Sequence, residues 1–253
     1  MEVKILVIGD SCKDVYIYGD APRQCPDAPV PVFVPTKNII SKGMSGNVYS
    51  NLVSLGVTCD LITNDDEVTK TRYVEEKTNH MIIRVDSGEE DIKRIENVEK
   101  IEYNNYDAII ISDYNKGFLT KEDILEISLK HDKTFLDTKK ILGDWAKHIT
   151  YIKVNEVEYE RSSKFIDNKE WFHEKLIITK GSSGCVYKDK TYSVKKVEIK
   201  DLSGAGDTFL SAFAMKLLKT QDVDFSLQFA NKCATSVVQK KGVAIVDSDI
   251  EKE

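Results

Sequence analysis

Short apolar runs alternate with longer mixed segments along this chain. The runs are residues 3–8, 106–112, 134–137, 149–154 and 176–181. Runs of this length are typical of strands that a parallel sheet buries on both faces. The segments between them carry helical patterns, and this alternation predicts an α/β fold. We therefore expect a doubly wound, mostly parallel central sheet with helices on both faces.

Two segments depart from this alternation. All five prolines lie between positions 22 and 35, inside a stretch of alternating apolar residues that begins at Val15. Proline disfavours both helix and central strand, so this stretch predicts extended edge strands that would suit a flap over a site. Residues 195–200 are predicted to form a short polar strand just before a glycine-rich turn.

That turn lies in residues 201–214, DLSGAGDTFLSAFA, the most informative stretch of the chain. Two glycines within residues 203–206 let backbone N–H groups converge on one point, and from Thr208 onward the spacing predicts a helix. A helix N-terminus favours an anion. Asp207 beside it could be a general base for a hydroxyl nucleophile or a helix cap, and the spacing alone leaves both interpretations open.

Two more carboxylates, Asp10 and Asp14, follow the first predicted strand. Ligands of doubly wound sheets bind outside the carboxyl ends of the strands, so both side chains could face a substrate. Turn chemistry would account equally well for one of them.

Composition narrows the classes of protein. The chain has 253 residues, of which 41% are hydrophobic, and this predicts one domain spanning residues 1–253. Its net charge of −6 is spread among interspersed acidic and basic residues, so we expect no nucleic-acid or membrane partner. With neither a secretory signal nor a long apolar run, a cytoplasmic location is expected. The five cysteines show no metal-ligand spacing and are expected to be reduced.

The stretch DLSGAGDTFLSAF resembles the D-T-x-G-A-G-D signature of ribokinase-like (PfkB) carbohydrate kinases. This resemblance implies that the amides of Gly204, Ala205 and Gly206 stabilise a transferring phosphoryl group. It also implies that Asp207 activates a sugar hydroxyl as the catalytic base. ATP and Mg²⁺ are the implied cofactors.

Two further stretches resemble the heptose-phosphate kinases of this family. Residues 9–33 are similar to their G-D-x-x-x-D-x-Y-x-x-G opening and the A-P-V-P element after it, and residues 112–117 are similar to their S-D-Y-x-K-G loop. The implied reaction phosphorylates D-glycero-β-D-manno-heptose 7-phosphate at C1, giving the 1,7-bisphosphate. The candidate acceptor contacts are Asp10, Asp14, Gly43, Asn47, Lys70, Arg72, Asp113 and Lys116.

Some of these positions leave alternatives open. Lys70 and Arg72 could contact a substrate phosphate or be ordinary solvated charges of an edge strand. At the G-G-A-A-N-V-A turn of the relatives, Gly43 and Asn47 match, but Met44 replaces a glycine. About two dozen residues of the relatives also have no counterpart after Asn64. Both departures favour a PfkB kinase for another sugar or sugar phosphate as the alternative.

The resemblance extends to a nucleotide site. The family's N-x-x-E, V-T-x-G-x-x-G and F-A-N patterns fall on Asn155, Glu158, Thr179, Gly181, Gly184 and Asn231. These residues are implied to bind ATP, and Glu158 to hold Mg²⁺ through a water molecule. Magnesium prefers oxygen ligands and keeps several waters, which is compatible with one distant carboxylate.

The resemblance also implies a small β lid formed by about residues 12–40 and 69–87. A homodimer through this lid is common among the relatives, and the sequence leaves it open. It also leaves open whether a monovalent cation binds near the anion turn. Two other classes of protein compete with a kinase. A non-catalytic protein on the same fold would not need both Asp207 and the turn, and a dinucleotide-dependent oxidoreductase would need a G-x-G-x-x-G after the first strand.

Overall fold

Two β-sheets and six α-helices form the fold of the computed structural model, which describes residues 3–252. The strands are β1 (Lys4–Gly9), β2 (Ser11–Gln24), β3 (Pro31–Met44), β4 (Thr58–Ile62), β5 (Thr69–Glu75), β6 (Met81–Ser87), β7 (Ala108–Asp113), β8 (Thr134–Thr138), β9 (Tyr151–Asn155), β10 (Leu176–Thr179), β11 (Cys185–Tyr187) and β12 (Lys190–Tyr192). The helices are α1 (Ser45–Ser54), α2 (Lys121–Lys130), α3 (Glu156–Ile166), α4 (Glu170–His173), α5 (Ala205–Thr220) and α6 (Val223–Val237).

The larger sheet has the order β12-β11-β10-β9-β8-β7-β1-β4. Its strands from β10 to β4 pair in parallel, and the two pairings at one edge, β10–β11 and β11–β12, are antiparallel. Every residue of β7 and β8 is buried, as expected for central strands covered on both faces. The predicted mostly parallel sheet is confirmed.

Helices cover both faces of this sheet. On one face, α1, α5 and α6 pack around Leu52, Phe213 and Leu227. On the other face, Ile127 of α2 and Ile166 of α3 belong to a second core cluster. Two buried cores on opposite sides of one sheet confirm the doubly wound architecture. Within residues 3–252, none of the helices combines the length and apolar character needed to span a membrane.

The smaller sheet is the β lid, with the order β3-β2-β5-β6. β2 follows β1 after a single residue, and β3 runs directly into α1, so both ends of the β2–β3 hairpin are anchored at the main sheet. Residues 63–68 lead from the edge strand β4 straight into β5. The lid is therefore tied to the carboxyl end of the main sheet at three points.

The structure corrects two sequence predictions. Residues 193–199 form no strand, because the sheet already ends at β12 and this segment runs instead along the wall of a cavity. The helix expected from Thr208 begins at Ala205, and Gly204 precedes it with a φ of 81°. The glycine-rich turn and the helix N-terminus are thus one unit.

Candidate active site

The site is centred on the start of α5. No side chain caps this helix, but the Ala205 N–H already donates to the backbone carbonyl of Leu202 at 3.3 Å. The resemblance implied that this amide holds the phosphoryl group, whereas an anion would have to rely on its neighbours in the turn. Asp207 lies inside that turn, and its carboxylate accepts hydrogen bonds from side chains of other elements. The interpretation of Asp207 as the helix cap is therefore wrong.

Asp207 is held by two donors from distant parts of the chain. Asn47 Nδ2 lies 3.0 Å from Oδ2, and the Tyr114 hydroxyl donates to Oδ1 at 2.7 Å. Burial raises the pKa of Asp207 to about 6, although both hydrogen bonds act to lower it. A carboxylate with a pKa just below neutrality is ionised at pH 7 and still basic enough to accept a proton.

Two lysines lie close to the turn. A Cβ added to Gly206 would meet Lys153 Nζ at 2.8 Å, so this ammonium group touches the anion turn. Lys153 Nζ lies 2.5 Å from Asp137 Oδ2, and Lys139 Nζ lies 3.8 Å from Asp137 Oδ1. Burial acts to raise the pKa of Asp137, but these two ammonium groups hold it below its usual value. The turn therefore combines backbone amides with buried positive charge.

Several residues of this centre were not predicted from the sequence. Lys153 is a charged residue within an apolar strand, and this is a signal of a buried functional group. Tyr114 and Lys139 lie in stretches that resemble family motifs but were given no role. Their contacts with Asp207 and Asp137 depend on strand order, which no local pattern reveals.

Asp10 and Asp113 are close together but serve the loops at the strand ends. Asp10 accepts the backbone N–H of Tyr114 at 2.7 Å and that of Phe118 at 3.3 Å. Burial, and then the charge of Asp113, raise the pKa of Asp10. Asp113 accepts from Lys140 Nζ at 2.6 Å. Both carboxylates are buried and hold the loop that carries Tyr114. They therefore help to position Tyr114 in the site.

A buried ion pair joins two neighbouring strands of the lid. Asp14 of β2 forms an ion pair with Arg72 of β5, whose guanidinium lies 5.0 Å from the ring centre of Tyr16. A Cβ on Gly43 would lie 2.1 Å from Asp14 Oδ2, so only glycine fits beside this carboxylate. The candidate residues Asp14, Gly43 and Arg72 are thus in one cluster.

Lys70 and Lys116 converge on one carboxylate that the sequence reasoning missed. Lys70 Nζ lies 3.3 Å from Glu89 Oε1, and Lys116 pairs with the other oxygen. Lys70 also lies over the ring of Tyr114, 5.6 Å from its centre. Lys70 and Arg72 are only 8% and 7% exposed, which excludes the interpretation as solvated edge-strand charges.

A cavity of about 410 Å³ opens on the other side of the turn. Its lining includes the predicted nucleotide residues Thr179, Gly181, Gly184 and Asn231 together with Ala205 and Gly206 of the turn. Residues 194–197 and Val238 add apolar and basic side chains to its wall. The structure therefore places a cavity of ligand size directly beside the amides of α5.

Asn155 and Glu158 are outside the lining of this cavity. They form a capping box at the start of α3, in which each backbone N–H donates to the other's side chain, at 2.8 and 2.9 Å. The second oxygen of Glu158 pairs with Lys139. The N-x-x-E pattern thus forms a helix cap, and Lys139 connects Glu158 to Asp137.

Comparison with known proteins identifies the family. The profile described as pfkB family carbohydrate kinase matches residues 45–250. The Bifunctional protein HldE of Helicobacter acinonychis is 30% identical in a match that covers 96% of this chain and 64% of the relative. The homologue from Bradyrhizobium diazoefficiens is 28% identical and covers 96% and 61%. This chain therefore spans less than two thirds of the length of the curated relatives it matches.

Solved structures show the same fold. A ribokinase from Thermotoga maritima superposes with a TM-score of 0.74 over 99% of this chain and 98% of that one, at 17% identity. The ribokinase of Arabidopsis thaliana complexed with ribose and ATP has a TM-score of 0.72 over 100% and 98%, at 13% identity. The family resemblance found at the turn is confirmed. The chain belongs to the pfkB family of carbohydrate kinases and is a sugar kinase.

Proposed function

We propose that this kinase transfers the γ-phosphoryl group of ATP to D-glycero-β-D-manno-heptose 7-phosphate at C1, giving the 1,7-bisphosphate and ADP. The observation that carries the transfer chemistry is Asp207, a buried carboxylate at the third residue of a helix whose N-terminus no side chain caps. The choice of acceptor is supported by the heptose-kinase patterns at residues 9–33 and 112–117, and by similarity to HldE proteins.

In this proposal the sugar hydroxyl binds Asp207 and gives it a proton as the hydroxyl oxygen attacks the γ-phosphorus. A new O–P bond forms, the bond from the γ-phosphorus to the bridging oxygen breaks, and ADP takes the electron pair. The amides of Gly204 and Gly206 and the ammonium group of Lys153 stabilise the charge on the phosphoryl oxygens. The protein supplies position and electrostatic stabilisation.

The site offers few protein ligands for Mg²⁺. Among residues 3–252 no group of three or more His, Cys, Asp or Glu side chains could hold a metal ion by itself. Both oxygens of Glu158 have partners, so it would hold Mg²⁺ through a water molecule. Mg²⁺ usually takes most of its ligands from phosphates and water in such sites, and it neutralises phosphate charge there.

The acceptor phosphate would bind at Lys70 and Lys116. These two ammonium groups share the single carboxylate of Glu89, which leaves one positive charge in excess. Lys70 lies over the ring of Tyr114, whose hydroxyl reaches Asp207. A sugar phosphate whose reacting hydroxyl and phosphate are at opposite ends matches this arrangement.

A kinase for a different sugar phosphate is the second candidate, and Met44 favours it. Met44 has a φ of 57° and a ψ of −131°, and its side chain is buried beside Cys12 at the lid end of α1. A methionine where the relatives have glycine fills space next to Gly43 and Asn47. This change would alter the fit of an acceptor without altering Asp207.

The acceptor is tested by measuring ADP release with Mg-ATP. The assay compares D-glycero-β-D-manno-heptose 7-phosphate with fructose 6-phosphate, ribose, fructose and a no-sugar control. We expect strong turnover with the heptose phosphate alone, and Lys116→Ala should raise its KM about tenfold, because one charge-assisted contact is lost. Preferred turnover of another acceptor would contradict the heptose assignment and leave the phosphoryl-transfer chemistry intact.

We also propose that the lid forms a homodimer through its outer face. Ile40, Ile83 and Val85 are 61%, 54% and 42% exposed. The register places Ile40 and Val85 in one cross-strand row, and Ile83 lies on the same face as Val85 by alternation. An exposed apolar sheet face of this kind is typical of an interaction surface.

The dimer is tested by analytical ultracentrifugation. We expect the native chain to sediment as a dimer and Val85→Glu as a monomer, because a buried unpaired carboxylate is costly. Val53→Glu is the control, since Val53 is 50% exposed on α1, away from the lid, and this variant should remain dimeric. A monomeric native chain would refute the dimer.

A further inference from the structure

Tyr114 contacts four groups of the candidate site, three of them through its side chain and one through its backbone. Its hydroxyl donates to Asp207 Oδ1 at 2.7 Å, and its backbone N–H donates to Asp10 Oδ2 at 2.7 Å. Two ammonium groups lie over its ring, that of Lys70 at 5.6 Å and that of Lys139 at 5.2 Å from the ring centre. The ring face is electron-rich, so both cations favour this orientation. The tyrosine is thereby fixed at its backbone, its ring and its hydroxyl.

We propose that Tyr114 is a positioning residue for phosphoryl transfer, which orients the carboxylate of Asp207 and keeps it ionised through a hydrogen bond from its hydroxyl. This inference rests on the proposed role of Asp207 as the base. It adds a residue from the loop after β7, 93 positions away in the sequence, to a function otherwise carried by the start of α5.

The geometry leaves room for a substrate. Each carboxylate oxygen can accept two hydrogen bonds, and Asp207 receives one on Oδ1 from Tyr114 and one on Oδ2 from Asn47. Two donors on two different oxygens fix the rotation of the carboxylate about its last bond. A remaining lone pair is then held in a constant direction for the proton of the sugar hydroxyl.

The groups around Tyr114 and Asp207 determine which of these two side chains carries a proton. Burial, and then the charges of Asp207 and Asp137, raise the pKa of Tyr114 well above its usual value, so the phenol stays protonated and always donates. A hydrogen bond to the charged form of a carboxylate lowers its pKa. Tyr114 therefore opposes the burial that would otherwise keep Asp207 protonated at neutral pH.

Other groups also face Asp207, and a test must separate them from Tyr114. The groups are Asn47 of α1, Asp137 of β8, Lys139 after β8, Lys153 of β9 and Cys12 of β2. Asp137 raises the pKa of Asp207, whereas Lys153 and the Asn47 hydrogen bond lower it. Tyr114→Phe removes one hydroxyl and leaves all of these groups in place.

The expected result concerns the pH profile of kcat/KM. The native enzyme should lose activity below about pH 6, where Asp207 becomes protonated. In Tyr114→Phe this acidic limb should move upward by about one pH unit, because a hydrogen bond to a charged group has been lost. Above pH 8 Asp207 is ionised in both enzymes, and their kcat/KM values should differ by only a few-fold.

Tyr103→Phe is the matched control. Tyr103 is buried in the same core cluster as Tyr114, but its hydroxyl donates to the backbone carbonyl of Val98 at 2.9 Å. This variant also loses one buried hydrogen bond, and its acidic limb should stay in place. A shift of equal size in both variants would show a general structural effect and would overturn the proposal.

A second measurement does not depend on activity. The carboxyl ¹³C signal of Asp207 can be titrated by NMR in the full chain without an acceptor, in the native protein and in Tyr114→Phe. A higher pKa in the variant supports the proposal, and an unchanged pKa overturns it. The base assignment fails separately, if Asp207→Asn keeps normal turnover while the titration still shifts.

Discussion

Replacement of Asp207 by asparagine is expected to lower turnover by about 10²–10⁴-fold, the usual contribution of a general base. Asparagine keeps the shape of the side chain and can still accept a hydrogen bond from Asn47, but it cannot take a proton from the sugar. Initial rates with saturating Mg-ATP and acceptor measure the effect. ATP affinity should change little, because the nucleotide cavity is lined by other residues.

Asp224→Asn is the control for this substitution. Asp224 also lies in the first turn of a helix, α6, and pairs with Lys190 at the protein surface. Its replacement should leave turnover unchanged. Near-normal turnover of Asp207→Asn in a folded protein would refute the base assignment.

Asp207→Asn should also be more stable than the native chain at pH 8. The pKa of Asp207 is about 6 in the folded protein, above its ordinary value of 3.8, so ionisation of the folded state costs free energy. The contribution of this group to the free energy of unfolding falls as pH rises from 3.8 to 6. Asparagine removes that cost, and we expect a gain of about 1–3 kcal/mol at pH 8 that disappears below pH 4.

Gly204→Ala is expected to lower turnover by about 100-fold and the free energy of unfolding by about 1–3 kcal/mol. Gly204 has a φ of 81°, and an added Cβ would lie 2.6 Å from Asn47 Nδ2. The methyl group would push Asn47 away from Asp207 and shift the amides of the turn. Turnover and chemical denaturation of the same preparation measure both effects.

Gly56→Ala separates backbone strain from damage to the site. Gly56 has a φ of 73°, and nothing lies within 4 Å of an added Cβ. This variant should lose about 1 kcal/mol of stability and keep full activity. Equal turnover of Gly204→Ala and Gly56→Ala would contradict the role of the turn in catalysis.

The sequence by itself determined the architecture and the position of the anion turn. The sheet follows from apolar runs, because strands covered on both faces must be continuously hydrophobic. The turn follows from two glycines before a helical pattern, since these residues set the local backbone. Both signals are local, and the structure confirms the fold they predict.

Local signals also produced the errors. The polar strand expected at residues 195–200 lacks a partner, because β11 and β12 already complete the edge of the sheet. The N-x-x-E pattern of Asn155 and Glu158 is not one of these errors. It forms a capping box, which uses the same residue types as a ligand site, and its role at the nucleotide stays a prediction. Local patterns do not distinguish these cases, because the distinction depends on the surrounding chain.

Only the tertiary structure decided what surrounds Asp207. Asn47 and Tyr114 are 160 and 93 residues away from it, and strand order and register bring them to one carboxylate. Burial then raises its pKa, an effect that no residue has by itself. Glu89 between Lys70 and Lys116 is likewise a product of the lid's docking. Sequence periodicity encodes which face of an element is buried, whereas the identity of the neighbour on that face depends on how the elements pack together.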